Sequence, residues 1–529
     1  MSSTYYIVGF ALALFFICYV AQRPGKSLHR YPGPFLASIT NVWRALDVYG
    51  RNTHITYRKL HARYGDVVRV APNVLSFGNP SAIQDIYGLQ KGFTKSGYYD
   101  VFATLNRGNI IYNLFSTRSE AYHARLRRSV NHAFALSTLL DFEPLVDSCT
   151  SYWLQRTEEI YVKEQRLCPL STWVQYFAFD VIGELTWSKR LGFVEENRDV
   201  ADIIGTVDSF QNYGTIVGQN PWWDTLLVKN PIKRFLESKN LWPASPNAAI
   251  IQFALARKQE ASASLRSGGS LHTPGPKGIN FLQRFLQSQD RNPDFLTDDR
   301  ITAMCASLII AGSDSTAISL SGVFYYLLKN PRVYSKLMAE IDAASAAGAL
   351  APSPNSTGAD DVVSFPAANK LKYLDAVITE SFRMHPAAGL LLERVTPPQG
   401  ATIEGHFVPG GVVVGCNAWV LHQNKEVFGE DADVFRPERW LEGEGVDPLK
   451  IGKMRSSMFQ FGAGSRTCIG KNISLMETYK MVPSFLRKFE IELDESNGSS
   501  YLKNAFFVHR KNFNVRIKLR KTESVRSLG

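Results

Sequence analysis

Apolar positions follow a helical period over most of the chain and a strand period in a few short stretches. Over residues 120–341 the apolar spacing is mainly helical. Residues 67–77 predict a hairpin of short strands with Pro72-Asn73 at its turn. Strand patterns return at residues 412–416 and 513–519. The pattern therefore predicts a mainly α fold with a minor β portion.

Two stretches interrupt the helical pattern. Residues 267–278 are rich in Ser, Gly and Pro, and residues 344–361 in Ala, Ser and Pro, so both favour exposed loops. No internal repeat and no obvious linker divides the rest of the chain. We therefore expect one large domain over residues 41–529.

The amino terminus carries an apolar run with no charged residue, residues 5–21. As a helix this run is about 26 Å long, close to the roughly 30 Å hydrocarbon core of a bilayer. Arg23, Lys26 and Arg30 follow the run, and no Lys or Arg precedes it. This favours an uncleaved single-pass anchor with the main domain on the cytosolic side; a cleaved signal peptide or a peripheral helix is the alternative.

Residues 31–34, Tyr-Pro-Gly-Pro, end the anchor because proline lacks an N–H and restricts the residue before it. The chain is thus divided into a membrane anchor at residues 1–23, a proline-rich hinge at residues 24–40 and the large domain.

Composition, net charge and cysteine spacing limit the classes of function that the protein can have. The 529 residues are 45% hydrophobic and 20% charged, the balance of a folded globular protein. A net charge of +11 fits nucleic acid, an anionic membrane or an acidic protein partner, but no nucleic-acid-binding signature is present, so nucleic acid is not expected. The cysteines lie far apart, which favours neither a disulfide framework nor a zinc site; they are Cys18, Cys149, Cys168, Cys305, Cys416 and Cys468.

One cysteine lies in a distinctive setting, Phe461-Gly-Ala-Gly-Ser-Arg-Thr-Cys-Ile-Gly470, and a helical apolar pattern follows at residues 473–486. Backbone N–H groups at a helix start stabilise a thiolate, and glycines let the backbone pass close to a flat ligand. Cys468 is therefore a candidate iron ligand. The alternative is a buried apolar cysteine, but this does not explain the residues around it.

This segment resembles the haem-binding signature F-x-x-G-x-R-x-C-x-G of the cytochrome P450 family, and every fixed position matches. The resemblance implies a cytochrome P450 fold, a haem b whose iron binds the Cys468 thiolate, and a catalytic role for residues 41–529. It also implies that Phe461 packs beside the sulfur and that Arg466 pairs with a haem propionate. Other features look most like fungal microsomal members, in particular the pisatin-demethylase-like group.

Two further motifs occur in the order of the family. Glu380-Ser-Phe-Arg383 places opposite charges three residues apart on one helical face, and Asp431-Ala-Asp-Val-Phe-Arg-Pro-Glu-Arg-Trp440 follows. The resemblance implies that Glu380, Arg383 and Arg439 form a buried structural network that does no chemistry. A solvated surface pair is the alternative for the first motif.

His123 and Arg127 lie one helical turn apart and are suited to bind porphyrin carboxylates. The family commonly has Trp at the first position, and His there makes the interaction pH-sensitive. Arg394 resembles a further propionate-binding arginine. The alternatives are an ordinary basic helix face for the first two residues and a surface ion pair with Glu393 for Arg394.

Residues 311–316, Ala-Gly-Ser-Asp-Ser-Thr, follow an apolar helical run. They resemble the oxygen-activating helix of the family, in which an acid and an alcohol deliver protons to iron-bound oxygen. That implies catalytic roles for Asp314, Ser315 and Thr316. Ser315 stands at the alcohol position and Thr316 follows; adjacent helix residues point about 100° apart, so both cannot face the iron.

The resemblance implies a monooxygenase that uses O₂ and NADPH-derived electrons to hydroxylate or otherwise oxidise an apolar small molecule in secondary-metabolite biosynthesis. Electrons are expected from NADPH-cytochrome P450 reductase at the endoplasmic reticulum membrane, docking near Lys450, Lys453, Arg455 and Arg128. By the same resemblance, the pocket walls are expected at residues 98–115, 210–223, 304–311, 387–391 and 504–507. The alternatives are a haem-thiolate isomerase or peroxygenase without a reductase and a non-catalytic haem-binding protein.

Overall fold

Helices make up most of the chain in the computed structural model, which describes residues 28–106, 108–239, 241, 248–266, 279–352, 362–443 and 447–521. The anchor predicted at residues 1–23 and the loop predicted at residues 267–278 lie outside these ranges. The α-helices are α1 (Phe35–Ile39), α2 (Val42–Tyr49), α3 (Thr53–Tyr64), α4 (Ala82–Tyr87), α5 (Glu120–Val130), α6 (Leu136–Leu140), α7 (Glu143–Thr157), α8 (Leu170–Trp187), α9 (Phe193–Glu196), α10 (Ile203–Val217), α11 (Trp222–Leu227), α12 (Pro231–Ser238), α13 (Ala248–Arg266), α14 (Phe281–Arg291), α15 (Asp298–Lys329), α16 (Pro331–Ala346), α17 (Phe365–Ala368), α18 (Lys372–Met384), α19 (Ala418–Leu421), α20 (Lys425–Phe428), α21 (Pro448–Ser456) and α22 (Lys471–Lys488).

Strands form one five-stranded sheet and several small ones. The strands are β1 (Val67–Ala71), β2 (Val74–Phe77), β3 (Thr94–Lys95), β4 (Thr104–Asn106), β5 (Asn109–Ile111), β6 (Cys168–Pro169), β7 (Arg394–Val395), β8 (Ala401–Ile403), β9 (His406–Val408), β10 (Val413–Cys416), β11 (Phe489–Asp494), β12 (Tyr501–Ala505), β13 (Phe507–Lys511) and β14 (Asn514–Leu519). The largest sheet has the order β1-β2-β10-β7-β3. The predicted mainly α fold with a minor β portion is confirmed.

The hairpin predicted at residues 67–77 is present, since β1 and β2 pair antiparallel across Pro72-Asn73. The strands predicted at residues 412–416 and 513–519 are also present, as β10 and β14. The other strands, β3 to β9 and β11 to β13, were not predicted, and β6 lies within the stretch predicted as helical. Cys168 and Pro169 pair with β14 more than 300 residues later, and a two-residue strand leaves no period in the sequence.

The longest helix, α15, spans 32 residues across the core. The Thr297 side chain accepts a hydrogen bond from the Arg300 N–H at its start, where Asp298 and Asp299 suit the positive end of the helix dipole. Among the described residues it is the one helix long and apolar enough to cross a membrane, but 67% of its apolar stretch is buried inside the protein. It is therefore the central core helix and packs along α8 and α22.

A buried ionic network joins α18 to the turn at Pro437–Trp440. The Glu380 carboxylate accepts from Arg383 Nη2 at 2.7 Å, from Arg439 Nε at 2.9 Å and from Trp440 Nε1 at 2.8 Å. All three charged side chains are at most 1% exposed. The three residues thus meet as expected, and the surface-pair alternative is wrong.

Burial of Glu380 acts to raise its pKa, but the hydrogen bonds and charges of Arg383 and Arg439 outweigh it and lower the pKa below its ordinary value. A carboxyl group with a lowered folded-state pKa stabilises the fold above its unfolded pKa of 4.5. This contribution is lost as the pH falls through the lower, folded pKa.

Glu380→Gln should destabilise the protein by about 3 to 5 kcal/mol, because it removes the counter-ion of the buried Arg383 and one of the two carboxylates that pair with the buried Arg439. The measurement is the urea concentration at half unfolding at neutral pH, together with the haem retained. Glu442→Gln, at an exposed position, is the matched control and should change neither value. Equal stability of the two variants would contradict the structural role of Glu380.

Candidate functional site

A cavity of about 300 Å³ lies between α15 and the loop that precedes α22. Its apolar wall includes Tyr99, Phe115, Met304, Leu308, Ala387 and Phe506, from four of the five predicted wall segments. Residues 210–223 do not line it. Phe210 packs behind Phe102, with ring centroids 5.8 Å apart, so this segment lies behind the cavity wall. The prediction that residues 210–223 line the cavity is wrong.

Cys468 lies on the cavity wall, in a loop closed by its own N–H, which donates to Phe461 O at 2.9 Å. Gly464 has a φ of +66°, and a Cβ at this position would lie 1.8 Å from Tyr87 O, so only glycine fits. Phe461 also lines the cavity and packs edge-on against Phe382. The loop therefore presents the sulfur and the Phe461 ring to the same space.

The Cys468 side chain is exposed to the cavity, whereas Cys149, Cys168, Cys305 and Cys416 are all buried. Its recessed position raises the pKa of the thiol, while the N–H groups of Gly470 and Lys471 and the charge of Arg127 act in the opposite direction. Among the described cysteines, Cys468 alone faces a space large enough for a ligand. Cys18 lies outside the described residues.

The cysteine loop is held from behind by His422. Its Nε2 accepts the Phe459 N–H at 2.8 Å, and its Nδ1 lies 3.0 Å from Arg383 O. Burial lowers the pKa of His422 to about 3, so the ring is neutral and one nitrogen accepts while the other donates. The loop is thereby connected to the Glu380 network, a link that no sequence pattern indicated.

Basic side chains gather at one part of the cavity wall. They are Lys95, His123, Arg127, Arg394 and Arg466, from β3, α5, β7 and the cysteine loop. Four of them were predicted, and Lys95 was missed. Burial, together with the charges of Arg394 and Arg466, lowers the pKa of Lys95 well below its ordinary value. Lys95 is therefore a buried cation that lies near two further cations.

Few carboxylates offset this charge. Arg466 pairs with Glu120 at 2.7 Å, while Arg127 donates only to carbonyls, to Thr467 O at 2.8 Å and Ser465 O at 3.2 Å. Lys95 donates to Phe115 O at 2.5 Å. Within the described part of the chain, neither Lys95 nor Arg127 forms an ion pair.

Arg394 is buried, and its Nη1 donates to the backbone oxygen of Glu393 at 2.8 Å. The Glu393 carboxylate instead pairs with Arg44 and accepts from Ser96. The alternative of a surface ion pair between Arg394 and Glu393 is therefore wrong. The guanidinium is left facing the cavity.

His123 is 3% exposed and lines the same region. Burial and then the charge of Arg466, followed by Lys95 and Arg127, lower its pKa to about 3. The ring is therefore neutral at physiological pH among these residues and offers an N–H donor. The pH sensitivity expected from the sequence concerns a contact between His123 and a haem carboxylate, and it stays a prediction.

These observations fit a flat, dianionic ligand. A thiol on one wall, a group of basic side chains and otherwise apolar surfaces match the iron, carboxylates and ring of a haem. The residues that would hold it are Cys468 for the metal and His123, Arg127, Arg394 and Arg466 for the carboxylates, with Lys95 added by the structure.

The three predicted catalytic residues of α15 are separated. Ser315 and Thr316 line the cavity, but Asp314 is fully buried on another face of the helix and does not. Ser315 is half-buried and its hydroxyl donates to Ala311 O at 2.6 Å. Thr316 is 2% exposed and donates to Ser474 of α22 at 3.4 Å. Ser315 is thus the more open of the two hydroxyls.

Comparison with known proteins decides the family. The cytochrome P450 family model matches residues 32–517. The chain belongs to the cytochrome P450 family. It is 39% identical to a cytochrome P450 monooxygenase of Aspergillus terreus, over 91% of this chain and 94% of the relative. It is 38% identical to the cytochrome P450 monooxygenase cicH of Emericella nidulans, over 97% and 98%. Pisatin demethylase of Fusarium vanettenii is 34% identical, over 89% and 87%.

The resemblance to fungal cytochrome P450 enzymes, including the pisatin-demethylase-like group, is thus confirmed. The chain is an oxidoreductase of the cytochrome P450 monooxygenase type, and the cofactor of this family is a haem whose iron is held by a thiolate.

Cys468→Ala should abolish the red-shifted Soret band of the reduced carbon-monoxide complex, because that band reports an axial thiolate. The buried cysteines are matched controls, and Cys305→Ala, on α15, should keep the band. The measurement is the reduced carbon-monoxide difference spectrum at equal protein concentration. Survival of the band in Cys468→Ala would show that the ligand is another residue.

Proposed function

We propose that this protein is a haem-b monooxygenase that inserts oxygen from O₂ into an apolar small molecule with electrons from NADPH. The observation that carries the proposal is one cavity with an open cysteine on its wall, five basic side chains around it and apolar surfaces elsewhere. In this proposal the Cys468 thiolate binds the iron. His123, Arg127, Arg394, Arg466 and Lys95 hold the carboxylates, and Phe461 packs beside the sulfur.

The haem, once bound, supplies the oxygen chemistry, and thiolate ligation favours cleavage of the O–O bond. The protein chain orients the substrate, excludes water and supplies protons. Tyr99, Phe102, Phe115 and Phe506 form an aromatic cluster over the cavity, with ring centroids 5.2 to 6.1 Å apart in the contacting pairs. Such a cover keeps bulk water away from the reacting atoms.

The substrate proposed is an apolar or lightly oxygenated natural product, in keeping with secondary-metabolite biosynthesis. Aromatic and aliphatic side chains dominate the distal walls, where Met304, Leu308 and Ala311 of α15 face Ala387 and Phe506. Ser307 adds one hydroxyl on the same helix, one turn before Ala311. An apolar pocket with a few polar groups at fixed positions binds a largely apolar ligand and orients it.

NADPH-cytochrome P450 reductase is the proposed electron donor. Lys450, Lys453 and Arg128 are exposed and offer positive charge to an acidic partner. Arg455 is also exposed but already pairs with Asp375 at 2.8 Å, so its contribution to docking is smaller.

The endoplasmic reticulum membrane is the proposed location, with residues 1–23 as the anchor and residues 24–40 as the hinge. Trp222, Leu226 and Phe235 of α11 and α12 are each about 60% exposed and offer a second apolar contact, since aromatic residues favour the membrane interface. Flotation with liposomes of the chain that lacks residues 1–23 tests this contact, and the truncated chain should float with the liposomes. A truncated chain that stays in the dense fraction would contradict the second contact.

Ser315→Ala should raise hydrogen peroxide release per NADPH and lower product, because it removes the more open hydroxyl beside the cavity. Loss of a positioned proton donor costs roughly 10²-fold or more in the step it assists. Thr316→Ala is the matched control and should change coupling little, since its hydroxyl is turned towards α22. The measurement is NADPH, O₂, peroxide and product in one turnover assay.

The opposite ranking would show that Thr316 is the working alcohol. Unchanged coupling in both variants, or product formed without NADPH, would favour a reductase-independent isomerase or peroxygenase. No turnover at all with any substrate would favour a binding protein.

A further inference from the structure

Asp314 is fully buried on the side of α15 away from the haem cavity. Its Oδ1 accepts from Gln175 Nε2 of α8 and its Oδ2 from Gln211 Nε2 of α10, both at 2.7 Å. Two uncharged amides thus hold the carboxyl group in place without neutralising it. An acid that supplies protons to the cavity must itself receive them from somewhere other than the cavity.

A small polar chamber adjoins this group, bounded by α8, α15 and β13. Its volume of about 20 Å³ suits one water molecule, which needs roughly 10 to 15 Å³ on the same measure. The polar residues that line it are Ser171, Thr172, Gln175, Ser321, His509, Arg510 and Lys511. Ser171, Thr172 and Lys511 are only half-buried, so the rim of the chamber lies near solvent. Gln175 lines the chamber and also bonds to Asp314.

His509 lies between the chamber and the acid. Its side chain is 11% exposed, and its Nε2 is 4.0 Å from Asp314 Oδ2. Among the described residues, this buried nitrogen has no hydrogen-bond partner. A separation of 4.0 Å is too long for a direct hydrogen bond and requires a bridging water or a small rotation of the ring. An unpartnered nitrogen directed at a buried acid is otherwise unfavourable.

The charges around this pair come from three elements. Lys511 and Lys503 lie on the β12–β13 hairpin, and Asp208 on α10 places its carboxylate within 4.8 Å of the Asp314 and His509 ligand atoms. Arg510 also lines the chamber, and its guanidinium stacks on Tyr325, 3.3 Å from the ring centroid.

These surroundings determine the charge states of the two groups. Burial lowers the pKa of His509 to about 4, assisted by the nearby lysines, so the ring is neutral at physiological pH. Burial raises the pKa of Asp314 above its ordinary value, against the hydrogen bonds of the two glutamines.

We propose that His509 and the chamber form the proton entry to Asp314, on the opposite side of α15 from the haem. A proton from solvent reaches a water in the chamber and is taken up by one ring nitrogen of His509. The other nitrogen releases its own proton to Asp314 Oδ2, and Asp314 passes a proton on towards the side of α15 where Ser315 lines the cavity. The ring then flips back to its starting tautomer before it accepts the next proton. Each proton passed on is replaced from solvent, and no electron moves. His509 acts through Asp314 and is a positioning residue. The role in turnover rests on the proposed function.

Hydrogen–deuterium exchange of the Asp314 carboxyl group tests the entry path directly. The full-length, haem-loaded protein without substrate is mixed into D₂O at a pH where the carboxylic-acid infrared band is present. The band is assigned by its loss in Asp314→Asn. In His509→Phe the exchange should be roughly tenfold slower than in the wild type, because the ring that passes the proton is gone.

His509→Gln keeps the size and polarity of the side chain but cannot pass a proton through a ring, so it should also exchange slowly. It keeps the test decisive if the Phe variant fails to fold. His406→Gln, at an exposed position on β9, is the matched control and should exchange as fast as the wild type. Backbone amide exchange in residues 501–511 should be the same in all variants, which separates a lost proton path from a loosened hairpin.

Wild-type exchange rates in both His509 variants would overturn the proposal. The exchange is measured without substrate, reductase or turnover, so its result does not depend on whether the protein is a monooxygenase. As a second readout, the solvent isotope effect on product formation should increase in His509→Gln and stay unchanged in His406→Gln. An unchanged effect in both would also contradict the entry path.

Discussion

Positive charge buried without counter-charge is the constraint on which the rest of this site depends. Lys95, Arg127 and Arg394 face one cavity, and among the described residues Glu120 is the carboxylate that approaches from the wall, where it pairs with Arg466. A buried cation is unfavourable unless an anion or good hydrogen bonds compensate it. Two carboxylates of a bound haem would provide that compensation.

The central helix separates two environments that oxygen chemistry requires together. On one side Ser315 opens onto an apolar cavity, and on the other Asp314 is held by amides beside a polar chamber. Neighbouring residues of a helix point about 100° apart, so a single turn serves both sides. Gly312 lies against α8, where a Cβ would come within 2.8 Å of Ile182, so this close approach also depends on a missing side chain.

Local motifs predicted the parts of the site that depend on short stretches of chain. The Cys468 loop, the pair of Glu380 and Arg383 and the alcohol position at Ser315 were predicted from short motifs that resemble those of the cytochrome P450 family. Lys95, His422, Gln175 and His509 were not predicted, because their roles arise from contacts between segments tens to hundreds of residues apart. No local period or motif marks a residue whose partner is distant in sequence. The position of Asp314 away from the cavity has the same explanation.

The central claim is that the charges of the haem carboxylates complete this cavity. The most direct test compares the binding of ordinary haem b with that of its dimethyl ester, which keeps the iron and the ring but lacks both charges. The chain is produced without haem, and the affinity for each compound is measured by titration of the Soret band. A charge-assisted hydrogen bond contributes about 1.5 to 3 kcal/mol, so the ester should bind at least roughly tenfold more weakly. Equal affinity for the two compounds would contradict the account.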